Sequence, residues 1–112
     1  MPVPLHQAKA ELFRTLGHPV RIRVLELLQD GPRKVSDLRS EFEIEASSLS
    51  QQLAVLRRAG IVTATRTGSA VTYALAADDV SNLMTAARRF LTEILRDQGE
   101  LLDELQQQLE VR

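Results

Sequence analysis

The change of hydrophobic period at Gly60 limits the fold more than any other feature of this chain. Before it, in S-S-L-S-Q-Q-L-A-V-L-R-R-A-G-I-V (residues 47–62), Leu49, Leu53 and Leu56 recur at helical spacing. That spacing anchors one face of a helix and leaves Ser47, Ser48, Ser50, Gln51 and Gln52 in its first two turns, with Arg57 and Arg58 near its end. Gly60 supplies the left-handed residue that stops such a helix. Beyond it, residues 61–66 (I-V-T-A-T-R) and 70–75 (A-V-T-Y-A-L) are two β-rich runs about Thr67-Gly68-Ser69, the pattern of a hairpin.

Upstream, residues 35–42 read as a short helix packed through Val35, Leu38 and Phe42, joined to the 47–60 helix by a short connection around Ile44. Helix, turn, helix, then hairpin is the order of a winged helix-turn-helix, so the fold class expected is mainly α (α+β) with a two-stranded wing and a long C-terminal helix. In that motif the first turns of the second helix reach base edges in the major groove, which assigns Ser47, Ser48, Ser50, Gln51 and Gln52 to sequence reading. The competing reading of the same residues is an ordinary amphipathic helix whose serines and glutamines face water.

The net charge of −1 does not suggest a nucleic-acid partner until the chain is divided. Residues 14–66 hold nine Lys/Arg against six Asp/Glu, whereas residues 78–112 hold four against eight. The basic surplus lies where a duplex would lie: Arg33 and Lys34 before the 35–42 helix, Arg39 on it, Arg57 and Arg58 on the next, and Arg66 on the wing beside Thr67 and Ser69. Arg21 and Arg23 are equally well read as a solvated helix face.

With 112 residues and 44% hydrophobic content the chain reads as a single domain over 1–112. There is no cysteine, which removes disulfides, thiolate metal sites and thiol redox chemistry. The start, M-P-V-P, lacks a basic region followed by an apolar run, and no stretch approaches the ~20 apolar residues of a membrane span, so a cytoplasmic protein with no membrane partner is expected.

Apolar residues at 5, 8, 12 and 13 mark a first helix after a proline-bearing tail, one that needs a partner surface. A second begins at Pro19, is apolar around most of its circumference through Leu28, and ends at Gly31-Pro32, so it should be the central core helix. From Asp78 to about Glu110 there is no proline and one glycine, Gly99, where a bend is the alternative to a helix projecting beyond the domain. Positions 87, 91, 94, 98, 101, 105 and 108 follow a three-four spacing suited to helix-on-helix packing. We therefore expect 5–16 and 78–110 to form a homodimer interface through Leu5, Leu12, Leu91, Ile94, Leu101 and Leu105; the alternative is a terminal helix folded back on its own core.

The chain resembles the ArsR/SmtB family of bacterial winged-helix repressors. The resemblance rests on L-G-H-P-V-R-I-R-V-L at 16–25, similar to the family's L-x-H-P-x-R-x-x-I-L, and on S-Q-Q-L-A-V-L-R-R-A-G-I-V at 50–62, similar to S-x-H-L-x-x-L-x-x-A-G-L-V. It implies a homodimer built from the first and last helices that binds an imperfect palindrome of double-stranded DNA, represses transcription and is released by an inducer. Gln51-Gln52 stand where members often carry Arg-His, which lowers the charge on the reading face. The cysteine pair of metal-sensing members has no counterpart in Val35-Ser36-Asp37. Asp78 and Asp79 are present, but no histidine follows in residues 19–112 to complete the other usual site.

His18, immediately before Pro19, takes a capping or turn role, and His6 reads as solvent-exposed; the alternative for His6 is a site with Glu100, Asp103 or Glu104. Glycine-rich phosphate loops and zinc-ligand spacings are absent, and Ser47, Ser48 and Ser50 have no base candidate nearby in sequence, so no catalytic residue, metal or cofactor is expected. The leading expectation is a homodimeric, sequence-specific DNA-binding repressor without a metal site, an unidentified small-molecule effector being a further candidate partner. Its alternatives are a ligand- or metal-responsive sensor with its site at the dimer interface, and a protein-interaction module on the same scaffold.

Overall fold

In the computed structural model, which describes residues 2–111, the chain runs α1 (Leu5–Leu16), α2 (Pro19–Leu28), β1 (Arg33–Lys34), α3 (Val35–Arg39), α4 (Ala46–Arg58), β2 (Val62–Thr67), β3 (Ala70–Leu75) and α5 (Asp78–Val111). The residues form two compact units, one ending at Ser81 and the other beginning at Asn82.

Helix ends fall where the chain satisfies its own backbone. His18 is the extended N-cap of α2, its Nδ1 accepting the Val20 N–H at 3.2 Å, and Pro19 occupies the first turn, where a missing N–H costs nothing. At the other end of the motif, Gly60 adopts φ +77°. Its N–H donates to the Arg57 carbonyl at 3.0 Å while Ile61 N–H donates to Leu56 at 3.0 Å, the paired bonds of a Schellman closure. Helix α3 stops at Arg39, short of the expected Phe42, because the Glu41 and Phe42 amides turn back to the Leu38 and Arg39 carbonyls at 3.1 and 3.2 Å.

The core of the first unit is aliphatic. Val24 and Leu25 of α2, Leu38 of α3 and Leu49, Leu53 and Leu56 of α4 are all buried to within 2% of full enclosure. Leu27 and Leu28 are also buried, so α2 is the central helix its composition predicted. Ile61, Val62 and Tyr73 carry the core onto the sheet.

The hairpin register pairs Val62 with Leu75 and Thr67 with Ala70, leaving Gly68-Ser69 as a two-residue turn. Gly68 has φ +62° and, among the described residues, no non-glycine residue has positive φ, as a type II′ turn requires of its first and second central positions. The sheet, however, has three strands in the order β1-β3-β2, with Arg33 opposite Tyr73 and Lys34 opposite Thr72. The two-stranded hairpin is present as expected and β1 is an addition to it: two residues are too few to show a period, and β1 is a strand only because β3 offers it a free edge.

Gln29, just beyond α2, donates from Nε2 to the carbonyl and hydroxyl of Ser81 at 3.0 and 3.2 Å, tying the first turn of α5 to the end of α2. Asp78 and Asp79 lie in that turn, where carboxylates suit the helix dipole. The helical backbone of α5 continues unbroken through Gly99 for 34 residues, about 51 Å. Along the second unit Phe90, Leu91, Leu95, Leu101, Leu102, Leu105 and Leu109 are exposed, an apolar surface that a lone helix has no means of covering.

Candidate nucleic-acid interface

Helix α4 carries its three leucines inward, and the opposite side is correspondingly polar. Ser47, Ser50, Gln51, Ala54, Arg57 and Arg58 are exposed, whereas Ser48 and Gln52 are half-buried. The helical period separates the two glutamines: Gln51 shares the outer stripe with Ser47 and Ser50, and Gln52 turns toward α2. There Arg21 Nε donates to Gln52 Oε1 at 2.7 Å, and a second guanidinium nitrogen of Arg21 donates to the Thr15 carbonyl at 3.0 Å. Arg21 is therefore not part of a solvated face. Arg23 is, being exposed and paired with Glu26 at 3.7 Å.

Between α4, the start of α3 and the wing lies an open concavity of about 600 Å³. Lys34, Ser36, Ser50 and Ser69 supply its polar groups and Val35, Leu53, Val71 and Tyr73 its apolar ones. Its walls thus come from both halves of the helix-turn-helix and from the hairpin. Ser36, which sequence reasoning passed over, enters through this geometry; its only signal was a position one residue into a helix beside Lys34.

The cations differ in availability. Arg33 is drawn toward Glu41 at 3.7 Å, its side chain 29% exposed, so part of its charge is already answered. A partly exposed pair at that separation is weak and is screened by salt, leaving Arg33 able to exchange its partner. Among the described residues Lys34, Arg39, Arg57, Arg58 and Arg66 have no carboxylate partner. Arg66 and Thr67 at the end of β2, and Ser69 in the turn, are exposed. The remaining close pair, Arg14 with Glu11, lies on α1, away from these elements in sequence.

Of the residues expected at a dimer interface, Leu5, Leu12, Leu91, Leu101 and Leu105 are exposed in the single chain at 70%, 38%, 56%, 57% and 48%, and Ile94 is half-buried. Sequence reasoning left out Phe13, Phe90, Leu95 and Leu102, which are exposed to a similar degree. Among the described residues no three His, Cys, Asp or Glu side chains gather closely enough to hold a metal ion. His6 is exposed on α1, and no described helix is long and apolar enough to cross a membrane.

A profile of the family described as "Bacterial regulatory protein, arsR family" matches residues 18–64, from the N-cap of α2 into β2. The HTH-type transcriptional regulator Rv0081 of Mycobacterium tuberculosis is 50% identical over 103 residues, spanning 91% of this chain and 90% of that protein. Its crystal structure overlays with a TM-score of 0.80, covering 87% of this chain and 98% of the other. The biofilm growth-associated repressor of Agrobacterium fabrum is 37% identical over 90 residues, 77% of each protein. The homodimeric winged helix-turn-helix DNA-binding domain Mb0332 of Mycobacterium bovis, solved by NMR, overlays with a TM-score of 0.74 at 27% identity, covering 81% of this chain and 84% of that one.

Proposed function

The chain belongs to the ArsR family of bacterial regulatory proteins, and on that premise we propose that it is a sequence-specific DNA-binding repressor acting as a homodimer on an imperfect palindrome. One observation carries the reading. The outer stripe of α4 presents Ser47, Ser50 and Gln51, small or amide side chains able to meet base edges, while unpaired cations flank it on β1, at the end of α4 and on the wing. Phosphate contacts from Lys34, Arg57, Arg66 and the exchangeable Arg33 would fix register; hydroxyls at Ser48, Thr67 and Ser69 can add uncharged phosphate bonds. Gln51 can pair with adenine through both ends of its amide.

The exposed apolar positions on α1 and α5 support the homodimer, and the homodimeric Mycobacterium bovis domain is a precedent for it. A two-fold pair would set its recognition helices roughly 34 Å apart, one turn of duplex. Repression needs no catalytic step, cofactor or membrane, and an effector that releases the dimer is part of the reading.

Selection from a random-sequence duplex library with purified protein, followed by mobility shift, tests it. The expected product is an imperfect palindrome with half-site centres about 10 base pairs apart or a multiple, bound with a steep salt dependence. Enrichment of no sequence, with equal affinity for all duplexes, would overturn it.

A further inference from the structure

We propose that Arg21 is a positioning residue for DNA recognition: it holds α4 through Gln52, whose side chain consequently faces the protein and not the base edges. The inference rests on the repressor reading and assigns Gln52 a different part in it. Arg21 lies on α2, yet its guanidinium joins two other elements, donating from Nε to Gln52 Oε1 at 2.7 Å and from a terminal nitrogen to the Thr15 carbonyl at 3.0 Å. Thr15 is in the last turn of α1, where carbonyls have no partner within the helix. The guanidinium has donors only, so the Gln52 atom facing it must be the amide oxygen. Its plane fixes the directions of both bonds, and the second turn of α4 is thereby referred to the end of α1.

The consequence for recognition follows from counting groups. Adenine is read by glutamine through oxygen and NH₂ together, and the bond to Arg21 turns the oxygen of Gln52 toward α2, away from the outer stripe of α4. Gln52 is half-buried while Gln51 and Ser50 are exposed. Base reading thus belongs to Ser47, Ser50 and Gln51, and Arg21 with Gln52 sets the angle at which they are offered.

The test uses the full-length protein, a duplex enriched by the wild type, and a scrambled duplex. Arg21→Met and Gln52→Ala should each weaken binding to the enriched duplex roughly tenfold, and the double variant no further, as for residues acting in one network. Base preference at every position should be unchanged. Gln52→Glu keeps the acceptor and should bind within about threefold of wild type, because a carboxylate oxygen replaces the amide oxygen facing the guanidinium. In the free protein, the Arg21 Nε–H resonance should shift on Gln52→Ala and persist in Gln52→Glu; this reading survives even if Arg21→Met does not fold. Additive losses, a changed preference at one position of each half-site with Gln52→Ala or Gln52→Glu, or an Arg21 resonance indifferent to Gln52 would each overturn the proposal. If the wild type enriches no duplex, the repressor reading fails and this proposal with it; if it does and the losses add, only this proposal fails.

Discussion

Gln51 and Gln52 are neighbours of identical chemistry, and a step of one residue along a helix gives them opposite environments, one exposed and one drawn to Arg21. If Gln51 reads a base, Gln51→Ala should cost about 1–3 kcal/mol on the cognate duplex and almost nothing on random DNA. Arg66→Ala on the exposed edge of the wing should weaken both duplexes alike and reduce the salt slope by about one. Titrations at several salt concentrations separate the two behaviours, and equal losses on both duplexes for Gln51→Ala would remove it from base reading. The sequence placed both glutamines on the reading face because periodicity assigns a residue to a sector of a helix, not to a partner. The partner of Gln52 is 31 positions away in the chain, beyond any local pattern.

Elements were legible in proportion to how local their causes are. The end of α4 depends on a glycine and on bonds reaching back no more than five residues, so Gly60 was identifiable as the stop. An added Cβ at Gly60 would meet nothing within 4 Å, which leaves backbone strain at φ +77° as the penalty. Gly60→Ala should therefore lower stability by about 1–2 kcal/mol. The measurement is the urea midpoint at unchanged slope, with Gly60→Asn expected to lose less because asparagine tolerates this conformation. By contrast β1 could not be read ahead of the fold, since Arg33-Lys34 has no period and owes its extended pairing to Tyr73 and Thr72 some 38 residues on. The resulting third strand draws Lys34 to the rim of the concavity beside α4 and the wing.

For the whole molecule, the prediction concerns assembly and its control. Leu91 is 56% exposed in the single chain, so Leu91→Glu should leave the fold intact and yield monomers at concentrations where the wild type sediments as a dimer. A variant that remains dimeric would place the interface elsewhere. Zinc, nickel, cadmium and arsenite should leave the protein on its operator, because tight sites for soft and borderline metals are built mainly on thiolate and imidazole donors. The chain has no cysteine and two histidines, of which His18 is already used as a helix cap. Release by low micromolar zinc, lost in His6→Ala, would overturn that expectation.

Period and glycine position were enough to establish the order of helices and hairpin and the leucines that enter the core, because each follows from neighbours within a turn or two, and the absence of cysteine removed thiol chemistry. Contacts between distant segments were another matter. That Arg21 is bonded and Arg23 solvated, that Arg33 leans on Glu41 while Lys34 stays unpaired, and that Ser36 meets Ser50 and Ser69 around one concavity all depend on where packing of the aliphatic core sets α2, α3 and α4 against the sheet. A hydrogen bond or ion pair is directional over about 3 Å, whereas the hydrophobic pattern that drives the fold is indifferent to direction. Pattern therefore reveals which face of α4 turns outward, and the packed fold decides which side chains on it are already engaged.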